Sequence, residues 1–376
     1  MVVISLIISA SYLFLIGSFI FGFDKVDRFI LKDIPAKTKF SIIIPFRNEA
    51  NNLPKLLKSL FALNYSNNLF EVILVNDASE DNSVEIINTH IETQNKQIEL
   101  RVIENVRTCN SPKKDVIALA LEQAKHEWII TTDADCILPK FWLDSFDAFI
   151  QFKNPMCIVA PITYINEHTF LNRFQTLDLF SLQGTTIGSF GIDLPFLCNG
   201  ANFGYRKSVF LEVGGFKGNT AIASGDDIFL LEKIVKKHPK SVHYLKCDNA
   251  VVYTNAQANW HQLISQRIRW AAKTSSYNNW FGKLTGLVVL GMNVLILLLP
   301  FLSFFGFFNI KIWAYIFIIK LNVDFILLYK TSTFFNQRQA FISFLSSFVI
   351  YPIFSVYVAF LSLFKGYQWK GRQFKK

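Results

Sequence analysis

The first 23 residues, MVVISLIISASYLFLIGSFIFGF, carry no charged side chain. At about 1.5 Å per helical residue such a run is long enough to cross the hydrocarbon core of a bilayer. A secretory leader would start with basic residues and end at a small-residue cleavage site. Here the positive charge follows the run instead, at Lys25, Arg28, Lys32, Lys37 and Lys39. The positive-inside rule then puts the N-terminus outside and the following chain in the cytosol, so residues 1–23 are expected to be a transmembrane signal anchor. Apolar chain returns after Lys283, in the stretches 284–308, 312–329 and 340–364, and the chain ends in a basic tail over 365–376. Residues 24–280 have the composition of a soluble domain, expected to be cytosolic.

If all three late stretches cross, the tail KGYQWKGRQFKK, with five positive charges, lies outside, against the same rule. A re-entrant hairpin over 340–364, broken at Pro352, removes the conflict and is the expected arrangement; four full spans are the alternative. Pro300 is an expected kink in the first late span. Lys320 and Asp324 lie four residues apart inside the second and are expected to share a helix face and pair. Such a pair is either a functional intramembrane charge or simple mutual neutralisation.

Charged residues are 18% of the 376, too few and too apolar a setting for a disordered chain, and the net charge is 38 − 28 = +10. That excess does not indicate nucleic acid, because twelve basic residues flank the apolar stretches, where topology requires them: five after the anchor, Lys330 and Arg338, and five in the tail. The five cysteines, Cys109, Cys136, Cys157, Cys198 and Cys247, are scattered without metal-site spacing and are expected to be reduced.

Within 24–280 the pattern alternates between strand and helix. Ser41–Ile44 is a short buried-strand run expected to end at Pro45, followed by the helical NNLPKLLKSLFAL. EVILVNDAS (71–79) is a second strand ending at Asn76 and Asp77, with Ser79 placed to cap the next helix. EWIITTDADC (127–136) is a third, closing on Asp133 and Asp135. In open α/β sheets ligands bind at the carboxyl ends of strands. Two carboxylates two apart at such an end can face one hard cation, and Mg²⁺ or Mn²⁺ takes oxygen ligands and bridges to substrate phosphates. Further on, the glycine-punctuated CNGANFGYRKSVFLEVGGF (198–216) suits close backbone approach and contains Asn202. Asp226 and Asp227 open an amphipathic helix, where acids also complement the helix dipole. In WHQLISQRIRW (260–270), Gln266, Arg269 and Trp270 cluster on neighbouring turns of an expected interfacial helix over 260–280.

The ordered set PFRNE (45–49), VNDAS (75–79), DAD (133–135), GDDIFL (225–230) and QRIRW (266–270) resembles the membrane-anchored family 2 glycosyltransferases, with their Q-x-x-R-W pattern matched in full. The resemblance covers roughly 40–280. It implies a GT-A fold, a doubly wound and mainly parallel sheet, joined here to an N-terminal transmembrane anchor and a C-terminal transmembrane helix bundle. It implies inverting transfer from a nucleotide-diphosphate sugar, and a multi-pass protein of a bacterial cytoplasmic membrane. On this resemblance Pro45, Asn48 and Glu49 shape the nucleotide pocket and Asp77 contacts the nucleobase or ribose. Lys113 and Lys114 reach the phosphates, and Asp133 orients the ribose side. Asp135 ligates a divalent cation, Mg²⁺ or Mn²⁺. Asn202 and Asp226 line the substrate site. Asp227 is the general base toward the acceptor hydroxyl, Arg269 stabilises the leaving diphosphate together with the metal, Gln266 is a further catalytic residue, and Trp270 floors the acceptor site; His261 is a further phosphate candidate. The family often has Asp-Asp where this chain has Asn76-Asp77, and Glu-Asp where it has Asp226-Asp227. The expected acceptor is a lipid or polyprenyl-linked molecule at the membrane surface. A processive polysaccharide synthase and a non-catalytic scaffold subunit are the alternatives.

Overall fold

In a computed structural model of the chain, all residues are described except 94–97, 108–110, 221, 223, 274, 275, 277, 365, 370, 371, 375 and 376. Cys109 and most of the tail's charges lie outside the described residues. The chain forms two compact units. One comprises Met1–Val26, Asn166–Leu197 and Ala256–Lys376; the other comprises Asp27–Ile165 and Cys198–Asn255.

In chain order the elements are α1 (Val2–Lys25), β1 (Phe40–Phe46), α2 (Leu53–Phe61), β2 (Phe70–Asn76), α3 (Ser83–Thr93), β3 (Glu99–Glu104), α4 (Pro112–Gln123), β4 (Trp128–Thr131), β5 (Cys136–Ile137), α5 (Trp142–Lys153), β6 (Cys157–Val159), β7 (Ile162–Tyr164) and α6 (Phe170–Gly191). Then come β8 (Phe203–Arg206), α7 (Lys207–Glu212), α8 (Asp226–Lys237), β9 (Val242–Tyr244), β10 (Val252–Thr254), α9 (Trp260–Ala271), α10 (Trp280–Phe304), α11 (Ile310–Phe334), α12 (Phe344–Phe364), β11 (Tyr367–Trp369) and β12 (Arg372–Phe374).

The second unit is built on a seven-stranded sheet of order β3-β2-β1-β4-β8-β6-β9. β1 to β4 run parallel, β6 and β9 share their direction, and β8 alone is reversed. This is the mixed, mainly parallel GT-A-like sheet the motifs imply. The sequence order turns back between β1 and β4, so a crevice opens at their carboxyl ends. The strands are apolar along both faces, as β1 and β2 show by near-complete burial, because helices cover both sides. Reversed β8 brings its start to the same edge, since Phe203 pairs with Thr131 at the end of β4. A small sheet, β5-β10-β7, lies beside it in the same unit.

Pro45 does not end β1 as expected; it pairs in register with Val75. Ile43 faces β4, accepting from the Thr132 N–H at 3.2 Å, and β4 stops there. Two residues on, Pro45 faces the same, now open flank, where its missing N–H costs no ladder bond.

Among the described residues of the first unit, four helical segments are long and apolar enough to cross a membrane: Val2–Lys25, Trp280–Phe304, Ile310–Phe334 and Arg338–Phe364. The expected break at Pro352 is absent. α12 continues through that residue, so the re-entrant hairpin is corrected to one continuous helix. A proline removes one ladder bond, which neighbouring helices let a membrane helix tolerate. Pro300 lies inside α10, one turn from its end. α6 groups with the apolar helices although the sequence places it within 24–280. It approaches α1 closely because Gly22, Gly188 and Gly191 have no side chain: a Cβ on Gly188 would collide with the Phe19 backbone, and one on Gly191 with the Gly22 backbone. Phe19, Met292, Leu299 and Ile316 centre the apolar core of this unit. Lys320 and Asp324 do pair, at 2.5 Å, and the Tyr12 hydroxyl donates to the other Asp324 oxygen at 2.5 Å.

Candidate functional site

At the carboxyl ends of β1 and β2 the two loops hold one another. Asn48 adopts a left-handed backbone, φ 52°, which an Asn side chain tolerates. Its N–H donates to Ser79 Oγ at 3.1 Å and its Oδ1 accepts the Glu80 N–H at 2.8 Å. Glu49 is buried, with its N–H on Ser83 Oγ at 2.9 Å and its carboxylate accepting from Asn52 at 2.6 Å. Ser79 therefore serves the Asn48 loop. The α3 start is held instead by Asp81, which accepts the Ser83 N–H at 3.1 Å, so the expected Ser79 cap is corrected. Asp77 is buried at the end of β2, accepts from Asn105 Nδ2 at 2.9 Å and lies 3.7 Å from Arg107 Nε. Asn105 and Arg107 follow β3, and the strand-end rule that singles out Asp77 would also have singled them out.

Asn76 has a local reason to be an amide. Its Nδ2 donates to both oxygens of Glu104, at 3.1 and 2.9 Å, and its Oδ1 accepts the Ser79 N–H at 2.9 Å. An aspartate here would set two carboxylates against each other.

A cluster of acids around one lysine lies at the β4–β8 edge. Lys113 Nζ is 2.7 Å from Asp133 and 3.6 Å from Asp226. Burial alone would push the ammonium toward neutrality. The carboxylates of Asp133, Asp226 and Asp227 outweigh that, so its pKa is raised and it stays charged. The Gly200 backbone joins these side chains. Its N–H donates to Asp227 Oδ2 at 2.9 Å, and its carbonyl accepts from Thr131 Oγ1 at 2.8 Å. A Cβ on Gly200 would stand 3.2 Å from Asp226 Oδ2 and 3.3 Å from Lys113 Nζ, so glycine leaves the room that the ion pair occupies. Gly225, φ 83°, turns the chain into α8, which places Asp226 buried and Asp227 half-buried at the same edge. The other Asp227 oxygen accepts the Ile228 N–H at 2.8 Å.

Two expected substrate residues are placed elsewhere. Lys114 is buried on the neighbouring face of α4, where its ammonium donates to the carbonyls of Asn219 and Ile222 at 2.7 and 2.9 Å and lies 5.0 Å from the Phe229 ring. Lys113, not Lys114, reaches the acids. Asn202 is fully buried; it accepts from Trp142 Nε1 at 3.0 Å and donates to the Pro161 and Ala250 carbonyls, both at 2.8 Å. It braces the scaffold under the site and has no face open to a substrate.

Asp135 is half-buried in the turn after Asp133, with the Cys136 thiol 3.8 Å from it. Burial and the Asp135 and Asp133 carboxylates push that thiol's pKa up. Among the described residues no three His, Cys, Asp or Glu side chains converge as a ready-made metal cage. The donor set suits a hard cation that takes one or two carboxylates and completes its shell with phosphate oxygens and water.

The QRIRW segment belongs to the first unit and lies on α9, capped by Asn259, whose Oδ1 accepts the Gln262 N–H at 3.0 Å. Gln266, Arg269 and Trp270 are half-buried and His261 is exposed. The residue between the motif positions organises them. Arg267 Nε is 2.6 Å from Asp178 Oδ2 of α6, its guanidinium lies 4.2 Å from the Trp270 ring centroid, and it donates to Gln266 Oε1. Sequence reading missed Arg267, though a basic residue on the buried side of an amphipathic helix was the available signal. Gln175 of α6 fixes the approach to α9 by exchanging two bonds with the Gln257 backbone, at 2.9 and 2.8 Å.

Comparison with known proteins agrees with this layout. The family model described as Glycosyl transferase family 2 matches residues 41–214, and the one described as Glycosyl transferase family group 2 matches residues 128–361. A poly(ribitol-phosphate) β-N-acetylglucosaminyltransferase, TarS, of Staphylococcus aureus is 31% identical over 128 residues, 34% of this chain and 22% of that protein. A poly-β-1,6-N-acetyl-D-glucosamine synthase of Staphylococcus epidermidis is 23% identical over 242 residues, 61% of this chain and 53% of that protein. The chain thus spans about half or less of the length of these relatives. Among solved structures, the mannosyltransferase PcManGT of Pyrobaculum calidifontis, in complex with GDP-Man and Mn²⁺, shares the fold at a TM-score of 0.56 and 13% identity, covering 96% of this chain and 99% of that one.

Proposed function

The chain belongs to the group 2 family of glycosyl transferases, and on that premise we propose that it moves a sugar from a uridine diphosphate sugar to a lipid or lipid-linked acceptor at the cytosolic membrane face. The observation that carries this reading is the Lys113–Asp133–Asp226–Asp227 cluster at the carboxyl edge of the sheet, in a chain that also has four membrane-length apolar helices. Asp133, Asp135, Asp226 and Asp227 together would repel a diphosphate, and Lys113 offsets part of that charge. Asp135, with donor oxygens and water, would hold a divalent cation, Mg²⁺ or Mn²⁺, which when bound supplies charge neutralisation on the leaving diphosphate.

In this reading Asp227 takes the proton of the acceptor hydroxyl as that oxygen attacks the anomeric carbon, and two backbone N–H groups hold its carboxylate in place. Asp77, with Asn48 and Glu49 shaping the loop beside it, faces the nucleoside. Gln266, Arg269 and Trp270 keep their diphosphate and acceptor roles on the strength of the motif. The named activities of the two staphylococcal relatives favour an N-acetylated sugar.

The test is turnover by the purified full chain with uridine and guanosine diphosphate sugars, Mg²⁺ or Mn²⁺, and a total lipid extract, read by mass spectrometry. A lipid carrying a single added sugar supports the proposal. A polymer ladder would favour a processive synthase, the reading suggested by the poly-β-1,6-N-acetyl-D-glucosamine synthase match. No product with any donor would turn the search toward a partner for a non-catalytic subunit.

A further inference from the structure

The chain between α1 and β1 has no regular secondary structure, yet from Asp27 onward it is strapped to the rest of the second unit. The Phe29 N–H donates to the Lys246 carbonyl at 2.8 Å, and Gln151 Nε2 donates to the Pro35 carbonyl at 3.1 Å. The Lys37 and Thr38 N–H groups share the Asp147 carboxylate at 3.3 and 2.9 Å, and Arg28 pairs with Asp248. The strap lays Phe29 edge-on against Phe149, centroids 5.2 Å apart, and beside Phe152 at 6.4 Å. An apolar notch results, lined by Phe29, Lys32, Ile34, Ala148, Gln151 and Phe152.

The rim of this notch is exposed where a soluble surface would be polar. Phe152 is 64% exposed and Ile30 76%. Two ammonium groups bracket the Phe152 ring, Lys32 at 5.4 Å and Lys153 at 5.3 Å from its centroid. Among the described residues neither has a carboxylate within 4 Å. A bare aromatic ring between two lysines matches the chemistry of an anionic bilayer surface, where the ring enters the acyl boundary and the ammonium heads stay at phosphate level. Phe29 lies four residues beyond Lys25, the last residue of α1, a tether of at most about 14 Å. A membrane-crossing α1 therefore keeps this strap within reach of the headgroups.

We infer that Ile30, Ile34 and Phe152, with Lys32 and Lys153, form a docking surface for anionic lipid. This inference does not depend on the reaction. The test uses the full chain in vesicles of phosphatidylcholine alone or with phosphatidylglycerol. The four described native cysteines are buried, so with Cys109→Ser in the background a bimane can be placed through Phe152→Cys or, as a control on α4, Glu122→Cys. Doxyl-labelled phospholipid is the quencher. The expected result is about threefold stronger quenching at 152 than at 122 in the anionic vesicles, lost when Lys32→Glu and Lys153→Glu are combined. Equal quenching at the two positions overturns the inference. So does quenching that ignores lipid charge, or shielding of the bimane at 152 that persists in detergent and grows with protein concentration, which would mark a second copy of the chain.

Discussion

Arg267 Nε lies 2.6 Å from Asp178 Oδ2, and both side chains are 6% exposed. This buried pair joins α9 to α6 while the same guanidinium touches Gln266 and lies against Trp270. Removing one partner strands a buried charge, so Arg267→Ala or Asp178→Ala should each destabilise the protein by about 3–5 kcal/mol. The double variant Arg267→Met/Asp178→Leu should recover much of that stability without recovering turnover, since the contacts to Gln266 and Trp270 stay lost. Thermal unfolding in detergent and kcat on the same samples check this; full activity in the stable double variant would separate Arg267 from the motif.

Asp227→Asn keeps a side chain that can accept the Gly200 N–H and removes the proposed base. Donor affinity should hold while turnover falls by about 10²–10⁴-fold. Isothermal titration with donor, alongside single-turnover transfer, decides it; near-normal turnover would take Asp227 out of the role.

Asp135→Ala should abolish the part of donor affinity that depends on Mg²⁺ or Mn²⁺ and leave the metal-free affinity unchanged. Binding measured with and without the ion is the check. An unaltered metal increment would move the ion to other ligands.

Lys113→Ala should weaken donor binding by about tenfold by leaving the cluster's carboxylates unopposed. The pH dependence has a definite sign. Since Asp133, Asp226 and Asp227 raise this lysine's pKa, its stabilisation is fully present below the free-lysine value of about 10.4. It is lost only as pH rises through the higher folded value. Donor affinity should therefore show no step from this group between about pH 6 and about pH 9. A step there that is absent in Lys113→Arg would contradict the assignment.

Asn76→Asp should cost about 1–3 kcal/mol by exchanging two hydrogen bonds to Glu104 for carboxylate repulsion. Adding Glu104→Gln should restore most of it, because the amide then supplies the donor. Denaturant midpoints of the two variants test the pairing directly.

Local signals carried far in this chain. Apolar runs of membrane length became α1, α10, α11 and α12, and the β–α alternation became the parallel core of the sheet with Asp77, Asp133 and Asp135 at strand ends. Where the reading failed, the deciding term was not local. Lys113 and Lys114 are neighbours in sequence, but successive residues on a helix point about 100° apart, and only packing shows which one meets the acids. Asn202 resembles a loop residue open to substrate until Trp142, Pro161 and Ala250 close around it. Pro352 signals a break by propensity, and α12 overrides it.

Length, hydropathy and strand-end position are properties of a single stretch of chain, so the membrane-length apolar helices, the sheet class and the ordered acidic motifs were legible without the fold. That α6 joins the apolar helices, that Arg267 locks the motif helix to Asp178, and that Gly200 makes room for the Lys113–Asp226 contact emerged with the packing. Each of these depends on residues far apart in the chain meeting at close range, where burial and charge pairing rather than local propensity set the energy.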